Sequence, residues 1–180
     1  PVMAATPSRM IPIGTVMPTF SLPNLDGAQW SPSNDSEGTL VVFMCNHCPY
    51  VIHVADTLQN LYEVCLSNNI EMIGINSNNF EAYPDDSPEN MIRTSDLYNW
   101  DFPYLLDREQ SVASSFGATC TPDTFLFDKD NKLFYRGQCD DSRPAKGVST
   151  GLDLISAIST LIANDPPPCN QKPSIGCNIK

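Results

Sequence analysis

The spacing of hydrophobic positions changes sharply at residue 45. Residues 40–44 are uniformly apolar, which is typical of a strand that is buried on both faces. Beyond residue 50 the apolar positions recur every three or four residues, as they do on one face of a helix. These positions are Val51, Val54, Ala55, Leu58, Leu61, Tyr62 and Cys65. The pattern predicts a buried strand over residues 40–44, followed by a helix that runs to about Ser67.

The rest of the chain predicts further strands and helices in alternation. Apolar segments predict strands at residues 70–76, 102–106, 125–127 and 132–137, and helical patterns predict helices at residues 87–100 and 109–116. A last helix is expected to begin at a cap on Ser149 or Thr150 and to end at Pro166. Because a helix joins the first two strands, we expect these strands to pair in parallel.

The N-terminal segment predicts additions to this alternation. Residues 1–16 are polar and proline-rich and predict an extended arm, in which Met3 is the expected native start. Apolar and polar residues alternate around Phe20 and Leu22, and Asp26-Gly27 is a turn signal. A β-hairpin is therefore expected to lie against the domain.

The domain is expected to end with the last helix. Three consecutive prolines from residue 166 prevent that helix from continuing. The residues beyond them are expected to be poorly ordered, as terminal segments often are. We therefore predict a single domain over residues 1–165 and a C-terminal tail over residues 166–180.

The charge balance excludes one class of partner. The 180 residues carry a net charge of −11 with a pI of about 4.3, which argues against nucleic-acid binding through a basic face. No apolar run reaches membrane length, so we expect no membrane partner.

No basic-then-apolar leader stands at the start, and a signal peptide removed earlier would leave no trace. The seven cysteines are odd in number, which favours a reducing compartment, so we expect a cytoplasmic protein.

Cys45 and Cys48 stand where the predicted strand ends and the predicted helix begins. The free N–H groups and the positive dipole end of the first helical turn favour a thiolate. The spacing brings both sulfurs within bridging distance, and Pro49 fits the first turn, where a missing N–H costs little. The arrangement favours a redox site whose only cofactor is its own disulfide. The alternatives are half of a zinc site or two ordinary buried cysteines. Zinc needs four ligands and His53 is the only histidine besides His47, so we expect no metal.

Four short motifs, in order along the chain, resemble a known superfamily. They are Pro18-Thr19-Phe20-Ser21-Leu22, Cys45-Asn46-His47-Cys48-Pro49-Tyr50, Thr121-Pro122 before a strand, and Phe125-Leu126-Phe127-Asp128. With the predicted elements, they resemble the thioredoxin fold as elaborated in the AhpC/TSA and TlpA/ResA-like redoxins, over roughly residues 10–163. The end of the tail resembles a subfamily of thioredoxin-like proteins that bear the same Cys-Asn-His-Cys-Pro-Tyr motif. The resemblance implies an α/β thioredoxin-like fold, with a central mixed sheet flanked by helices and an N-terminal β-hairpin extension.

The resemblance also implies which residues surround the cysteine pair. Thr121-Pro122 is similar to the cis-proline loop that faces the active cysteines in this fold, so we expect a cis bond there. Asn46 and His47 separate the two cysteines, and Pro49 follows them. His47 can either stabilise the thiolate or be an exposed residue with little effect.

The remaining cysteines allow several roles. Cys120 is expected on the proline loop, where it can resolve or gate a disulfide; we favour a small buried residue without a redox role. Cys169 and Cys177 can bridge each other, reach the Cys45–Cys48 pair, or take no part. We expect them to take no part, because they lie in the predicted tail.

The residues and the resemblance together predict a thiol–disulfide oxidoreductase that acts in redox homeostasis. Cys45, at the exposed end of the strand, is expected to attack a disulfide, and Cys48 is expected to release the mixed disulfide. The expected partners are protein or small-molecule disulfides, and a thiol reductant such as thioredoxin or glutathione. No oligomeric state is predicted.

Two other functions stay open. One is a peroxiredoxin-like peroxidase, an antioxidant protein of the AhpC/TSA type that acts on peroxides. The peroxiredoxin pattern P-x-x-x-T-x-x-C, ended on Cys48, puts Val41 at its Pro and Cys45 at its Thr, and its catalytic Arg has no clear counterpart. We therefore expect slow peroxide turnover. The other function is a copper- or zinc-binding module that uses both cysteines of the pair and a histidine.

Overall fold

The structure, a computed structural model, describes residues 5–180. A mixed β-sheet lies at its centre. The strands are β1 (Ala5–Pro7), β2 (Leu22–Pro23), β3 (Gln29–Trp30), β4 (Gly38–Phe43), β5 (Ile70–Asn76), β6 (Tyr104–Leu106), β7 (Cys120–Thr121), β8 (Asp123–Asp128), β9 (Leu133–Gly137) and β10 (Ile175–Asn178). The helices are α1 (Pro49–His53), α2 (Ala55–Ser67), α3 (Pro88–Leu97), α4 (Ser111–Phe116) and α5 (Leu152–Ile162), with a 3₁₀ turn at Pro84–Asp86. Residues 1–4, which hold the start of the predicted arm and Met3, lie outside the described residues.

The central sheet has five strands in the order β6-β5-β4-β8-β9. β5 pairs in parallel with β4 and β6, whereas β8 runs antiparallel to β4 and β9. The predicted mixed sheet and the predicted parallel pairing of its first two strands are thus confirmed. β4 has neighbours on both sides and both of its faces are covered, which explains its uniformly apolar sequence.

The sheet separates two hydrophobic cores. Leu40 and Val42 of β4 belong to the core formed with α2, α3 and α5. Val41 and Phe43 belong to the core on the opposite face, formed with α4. Successive residues of a strand point to opposite faces, so β4 contributes to both cores. Phe116 of α4 packs edge-on against Phe43, with ring centroids 5.3 Å apart.

The helix predicted after the cysteines is divided into two. Val54 leaves the helical conformation, with φ −102° and ψ 9°, so α1 ends at His53 and α2 begins at Ala55. The N–H of Leu58 still donates to the Val54 carbonyl at 2.9 Å, so the chain passes directly from one helix into the next. None of the helices within residues 5–180 is long and apolar enough to cross a membrane.

The last helix begins later than predicted. Gly151, with φ 70°, precedes its first turn, so the caps predicted at Ser149 and Thr150 are wrong. Both residues instead bind the carboxylate of Asp140. One Asp140 oxygen accepts hydrogen bonds from the Ser149 hydroxyl and from the N–H groups of Thr150 and Gly151, each at 2.8 Å. A carboxylate from a neighbouring loop therefore satisfies the backbone before α5.

The predicted N-terminal hairpin is present. β2 and β3 pair antiparallel, with Leu22 opposite Trp30. Phe20 stacks on Trp30 at 6.0 Å between ring centroids and meets Phe116 edge-on at 5.6 Å. These contacts hold the hairpin against the α4 side of the sheet.

The C-terminal segment contains a β-strand that pairs with the rest of the fold, so the expectation of a poorly ordered tail is wrong. β10 lies between β1 and β7 in a second, three-stranded antiparallel sheet. Cys177 stands opposite Ala5 on one side and Thr121 on the other. A Cβ atom at Gly176 would overlap the Thr121 carbonyl, so a glycine there lets the strands approach. Backbone pairing on both sides orders a segment whose composition indicates a loose end.

Candidate active site

The turn between β4 and α1 carries the two cysteines, as the sequence predicts. Cys48 directly precedes α1 in an extended conformation, with φ −70° and ψ 125°, and Pro49 opens the helix. The Cys48 carbonyl accepts hydrogen bonds from the N–H groups of Val51 and Ile52 at 3.0 and 2.9 Å. Cys45 follows the end of β4, but it is 1% exposed and Cys48 is 0% exposed. The expectation that Cys45 lies at an exposed strand end is therefore wrong, because its sulfur is packed inside the protein, next to Thr121 of β7.

The Thr121-Pro122 peptide bond is cis, as predicted. Thr121 contacts both sulfurs: its hydroxyl oxygen lies 3.6 Å from Cys45 Sγ, and its carbonyl oxygen lies 3.4 Å from Cys48 Sγ. The predicted placement of this loop against the cysteine pair is thus confirmed. Thr121 is 3% exposed, so these contacts form inside the protein.

A third cysteine lies at the pair. Cys177 of β10 places its Sγ 2.6 Å from Cys48 Sγ, and the N–H of Tyr50 in α1 is hydrogen-bonded to the Cys177 sulfur. Cys177 is 2% exposed. The sequence analysis places Cys177 in a poorly ordered tail, whereas the structure places it in a strand beside Cys48. That it takes no part in the chemistry stays a prediction. Gly176, whose place beside another strand requires a residue without a side chain, is the sequence signal that could have indicated a packed strand here.

A buried carboxylate lies on the other side of the turn. Asp86, in the 3₁₀ turn, is 0% exposed and accepts hydrogen bonds from the Asn46 backbone N–H at 2.8 Å and from Asn78 Nδ2 at 2.9 Å. His47 Nδ1 lies 2.9 Å from Asp86 Oδ2, close enough for an ion pair but not aligned as a hydrogen bond. The Asn46 side chain accepts from the Tyr104 hydroxyl at 2.8 Å. Asp86 was not anticipated from the sequence, where it is one of two aspartates in a polar loop.

The residues around Asp86 also bear on metal binding. Cys45 Sγ, a His47 ring nitrogen and an Asp86 carboxylate oxygen lie within 4.8 Å of one another. These are three possible ligands, one fewer than a structural zinc site holds. Asp86 already accepts hydrogen bonds from main-chain and amide groups, which a metal would have to compete with.

The two thiols of the motif have opposite pKa shifts. Hydrogen bonding from the Cys45 thiol lowers the pKa of Cys48 to about 5, with further help from Cys177 and Thr121, although burial opposes it. The pKa of Cys45 is raised well above its ordinary value, because its thiol is hydrogen-bonded to Cys48, because it is buried, and because the Asp86 carboxylate is near. The arrangement favours a proton on Cys45 and a thiolate on Cys48.

Three further residues from the sequence analysis, Cys120, His53 and Cys169, have other surroundings. Cys120 is buried in β7, its Sγ directed at the Pro122 carbonyl at 3.8 Å, and burial raises the pKa of its thiol. This agrees with the favoured reading of Cys120 as a small buried residue. His53 Nε2 lies 2.7 Å from the Ser142 hydroxyl. Cys169 is exposed.

A cysteine pair at a helix start, opposite a cis-proline, on a sheet of this order defines a thioredoxin-like protein. A thioredoxin domain of a thiol–disulfide oxidoreductase from Bacteroides vulgatus shares the fold, with a TM-score of 0.67 and 17% identity over 84% of this chain and 99% of that one. The AhpC/TSA family model matches residues 13–136. The chain belongs to the AhpC/TSA family.

Two further relatives extend this result. An uncharacterized conserved protein from Geobacillus kaustophilus has a TM-score of 0.95 and 44% identity, covering 99% of this chain and 96% of that chain. The thiol-disulfide oxidoreductase ResA of Geobacillus thermodenitrificans (strain NG80-2) is 22% identical over 129 residues, which are 71% of this chain and 70% of ResA. The protein is therefore an oxidoreductase of the thiol–disulfide and peroxiredoxin-like class.

Proposed function

We propose that the protein is a thiol–disulfide oxidoreductase in which Cys45 and Cys48 cycle between dithiol and disulfide. The observation that carries the proposal is the position of both thiols at the start of α1, in contact with Thr121 of the cis Thr121-Pro122 bond, and their opposite pKa shifts agree with it. A thiolate beside a protonated thiol has both parts of an exchange reaction, a nucleophile and a group that resolves the mixed disulfide. The motif needs no cofactor other than its own disulfide.

The nucleophile in this proposal is Cys48, rather than the Cys45 that the sequence favours. The Cys48 thiolate attacks one sulfur of a substrate disulfide, the other substrate sulfur leaves as a thiolate, and that thiolate takes a proton from solvent. Cys45 then loses its proton and attacks Cys48 Sγ, which breaks the mixed disulfide and releases the second substrate thiol. The substrate gains two electrons and two protons, and the protein holds a Cys45–Cys48 disulfide.

Partners of two kinds complete the cycle. A groove lined by Tyr50, Pro122 and Arg143 runs beside the cis-proline, and it offers a chain bearing a disulfide a place to lie against the site. A thiol reductant such as thioredoxin or glutathione would return the pair to the dithiol form. The chain has seven cysteines, an odd number, which supports a role in redox homeostasis in a reducing compartment such as the cytoplasm.

Peroxide reduction is the second candidate, because Cys48 occupies the cysteine position of the peroxiredoxin pattern and its pKa is lowered. A fast peroxidase also needs donors that stabilise the departing oxygen. Within residues 5–180, the Arg136 side chain donates to the Ile11 carbonyl and to Gln171, not to either sulfur of the pair. The Arg143 side chain donates to Gln138 and to the carbonyls of Asp140 and Ser142. The site therefore favours disulfide exchange over peroxide turnover.

Parallel stopped-flow measurements test this choice. The reduced protein would be mixed with oxidised glutathione or with hydrogen peroxide, and insulin reduction would be followed with a thiol reductant. We expect rapid exchange, slow peroxide consumption, and loss of both in Cys48→Ser. Cys169→Ser, which removes an exposed thiol, is the matched control and should behave as wild type. Peroxide consumption faster than exchange would favour the peroxidase, and stoichiometric copper or zinc on the purified protein would favour the metal-binding alternative.

A further inference from the structure

Cys48 has two thiol neighbours, and the proposed function uses one of them. The second, Cys177, has its sulfur 2.6 Å from Cys48 Sγ, in a region that excludes solvent. It comes from the end of the chain, 129 residues away, so its position depends on the tertiary fold. An uncommitted thiol at this distance from the most acidic thiol of the site is placed to react with it.

The strand that carries Cys177 is held on both sides. Before it, the Ser174 N–H donates to the Ser8 hydroxyl at 2.9 Å, and the Ser8 N–H donates to the Ser174 carbonyl at 2.8 Å. After it, the Ile179 N–H donates to the Thr119 carbonyl at 3.0 Å, and the Lys180 N–H donates to the Asn78 side chain at 2.8 Å. These hydrogen bonds fix the position of Cys177 beside the start of α1.

We propose that Cys177 is a third redox-active cysteine, which forms an alternative disulfide with Cys48. The proposal rests on the proposed function, because it needs Cys48 to enter disulfides. Starting from a Cys45–Cys48 disulfide, the Cys177 thiolate attacks Cys48 Sγ, a Cys48–Cys177 bond forms, and Cys45 leaves as a thiolate that takes up the proton lost by Cys177. The exchange moves one disulfide to a new partner and needs no external oxidant. Starting from a mixed disulfide on Cys48, the same attack releases the substrate thiol.

The charge on Cys48 controls when Cys177 can react. Burial, a hydrogen bond with Cys48 and charge repulsion from the Cys48 thiolate together raise the pKa of Cys177 to about 12. Once Cys48 is in a disulfide its negative charge is gone, and two of these three causes disappear. Cys177 therefore becomes a better nucleophile only after Cys48 has reacted.

A Cys48–Cys177 bond would also join two parts of the fold. It would attach β10 covalently to the start of α1, over the loop that holds the cis-proline. While this bond exists, Cys48 cannot attack a substrate disulfide, and Cys45 carries a free thiol. The site would then have two oxidised forms that share one sulfur.

Disulfide mapping in the Cys45→Ser variant tests the proposal, because this variant lacks the first resolving thiol. The reduced variant would be treated with oxidised glutathione, quenched with acid, digested without reduction, and analysed by mass spectrometry. We expect a Cys48–Cys177 linked peptide, and about tenfold less glutathione on Cys48 than in Cys45→Ser/Cys177→Ser, because an internal thiol has a high effective concentration. Cys45→Ser/Cys169→Ser is the matched control and should give the same map as Cys45→Ser.

Mapping of the wild-type protein in glutathione buffers of increasing potential gives a result that does not depend on a variant folding. A Cys48–Cys177 peptide beside the Cys45–Cys48 peptide supports the proposal. It is overturned if Cys177 stays fully alkylatable at every potential and glutathione on Cys48 is equal with and without Cys177. In that case a Cys45–Cys48 disulfide would leave the proposed function standing. If Cys48 forms no disulfide of any kind in wild type, both the proposed function and the third cysteine are wrong.

Discussion

The two sides of the cysteine turn differ in the charge they present to the sulfurs. On the side of Cys45 lies Asp86, a carboxylate with no exposed surface, held by Asn46 and Asn78. On the side of Cys48 lie two uncharged groups, the Thr121 carbonyl and the Cys177 thiol. The hydrogen bond between the two cysteines is the largest cause of their opposite pKa shifts, and the charge of Asp86 adds to the rise in the pKa of Cys45.

This difference teaches that motif spacing alone does not assign the nucleophile. The helix start and the Cys-x-x-Cys spacing predict a reactive pair, and they do not say which member carries the charge. Among the causes outside the pair, the charge of Asp86, which is distant from the motif in the chain, raises the pKa of Cys45. Five measurements sharpen or break the comparison between the two sides.

Replacement of each cysteine should have the largest effect. We expect Cys48→Ser to lose disulfide exchange by about 10³-fold or more, because it removes the nucleophile. Cys45→Ser should still form the first mixed disulfide, since Cys48 is intact, and should then resolve more slowly. Stopped-flow exchange with oxidised glutathione and trapping by acid measure both steps. The opposite result, a first step that survives in Cys48→Ser and is lost in Cys45→Ser, would return the nucleophile to Cys45.

The pH profile of alkylation should separate the two thiols next. With a pKa of about 5, Cys48 should alkylate at a rate that is half-maximal near pH 5 and level above pH 7, whereas Cys45 should not react until much higher pH. Iodoacetamide pulses followed by peptide mass spectrometry give the two curves. A Cys48 rate that keeps rising to pH 9 would contradict the lowered pKa.

The lowered pKa of Cys48 also makes the stability of the protein depend on pH. The pKa of Cys48 is lower in the folded than in the unfolded chain, so the unfolded state binds more protons between about pH 5 and pH 9. The contribution of this thiolate to stability is complete above the unfolded pKa and is lost as the pH falls through the folded pKa. The free-energy difference between wild type and Cys48→Ser should therefore shrink from pH 8 to pH 5.

Replacement of Asp86 should reduce the contrast between the sides. Asp86→Asn removes the negative charge near Cys45, so the pKa of Cys45 should fall and its alkylation at pH 8 should rise by about tenfold, which corresponds to about one pKa unit. Asp85→Asn, at the exposed neighbouring carboxylate, is the matched control and should change little. If both replacements change Cys45 alkylation equally, Asp86 acts only through the net charge of the protein.

Sequence and structure agree best where the chain is locally determined. Nearby residues or short motifs predict three features: the buried strand β4 from the apolar residues 40–43, the position of the cysteines before Pro49, and the cis bond before Pro122. The break at Val54 could not be predicted, because the apolar spacing continues through it unchanged. The position of Asp86 depends on long-range packing, and nothing adjacent to it in the chain carries that information. The adjacent Gly176 is a signal that Cys177 lies in a closely packed strand, but it does not indicate that Cys48 is the neighbour.

Replacement of Thr121 should have the smallest effect of the five. Its hydroxyl lies 3.6 Å from Cys45 Sγ, and hydrogen bonding from its side chain lowers the pKa of both cysteines, behind larger causes in each case. Thr121→Val keeps the shape and removes only the hydroxyl, so we expect the first attack by Cys48 and the resolution by Cys45 each to slow by at most about threefold. Thr119→Val, whose hydroxyl bonds to the distant Pro7 carbonyl, is the matched control. Single-turnover kinetics resolve the two steps, and a loss in one step that is as large as the loss in Cys48→Ser would show that the Thr121 hydroxyl, and not the charge near each sulfur, decides that step.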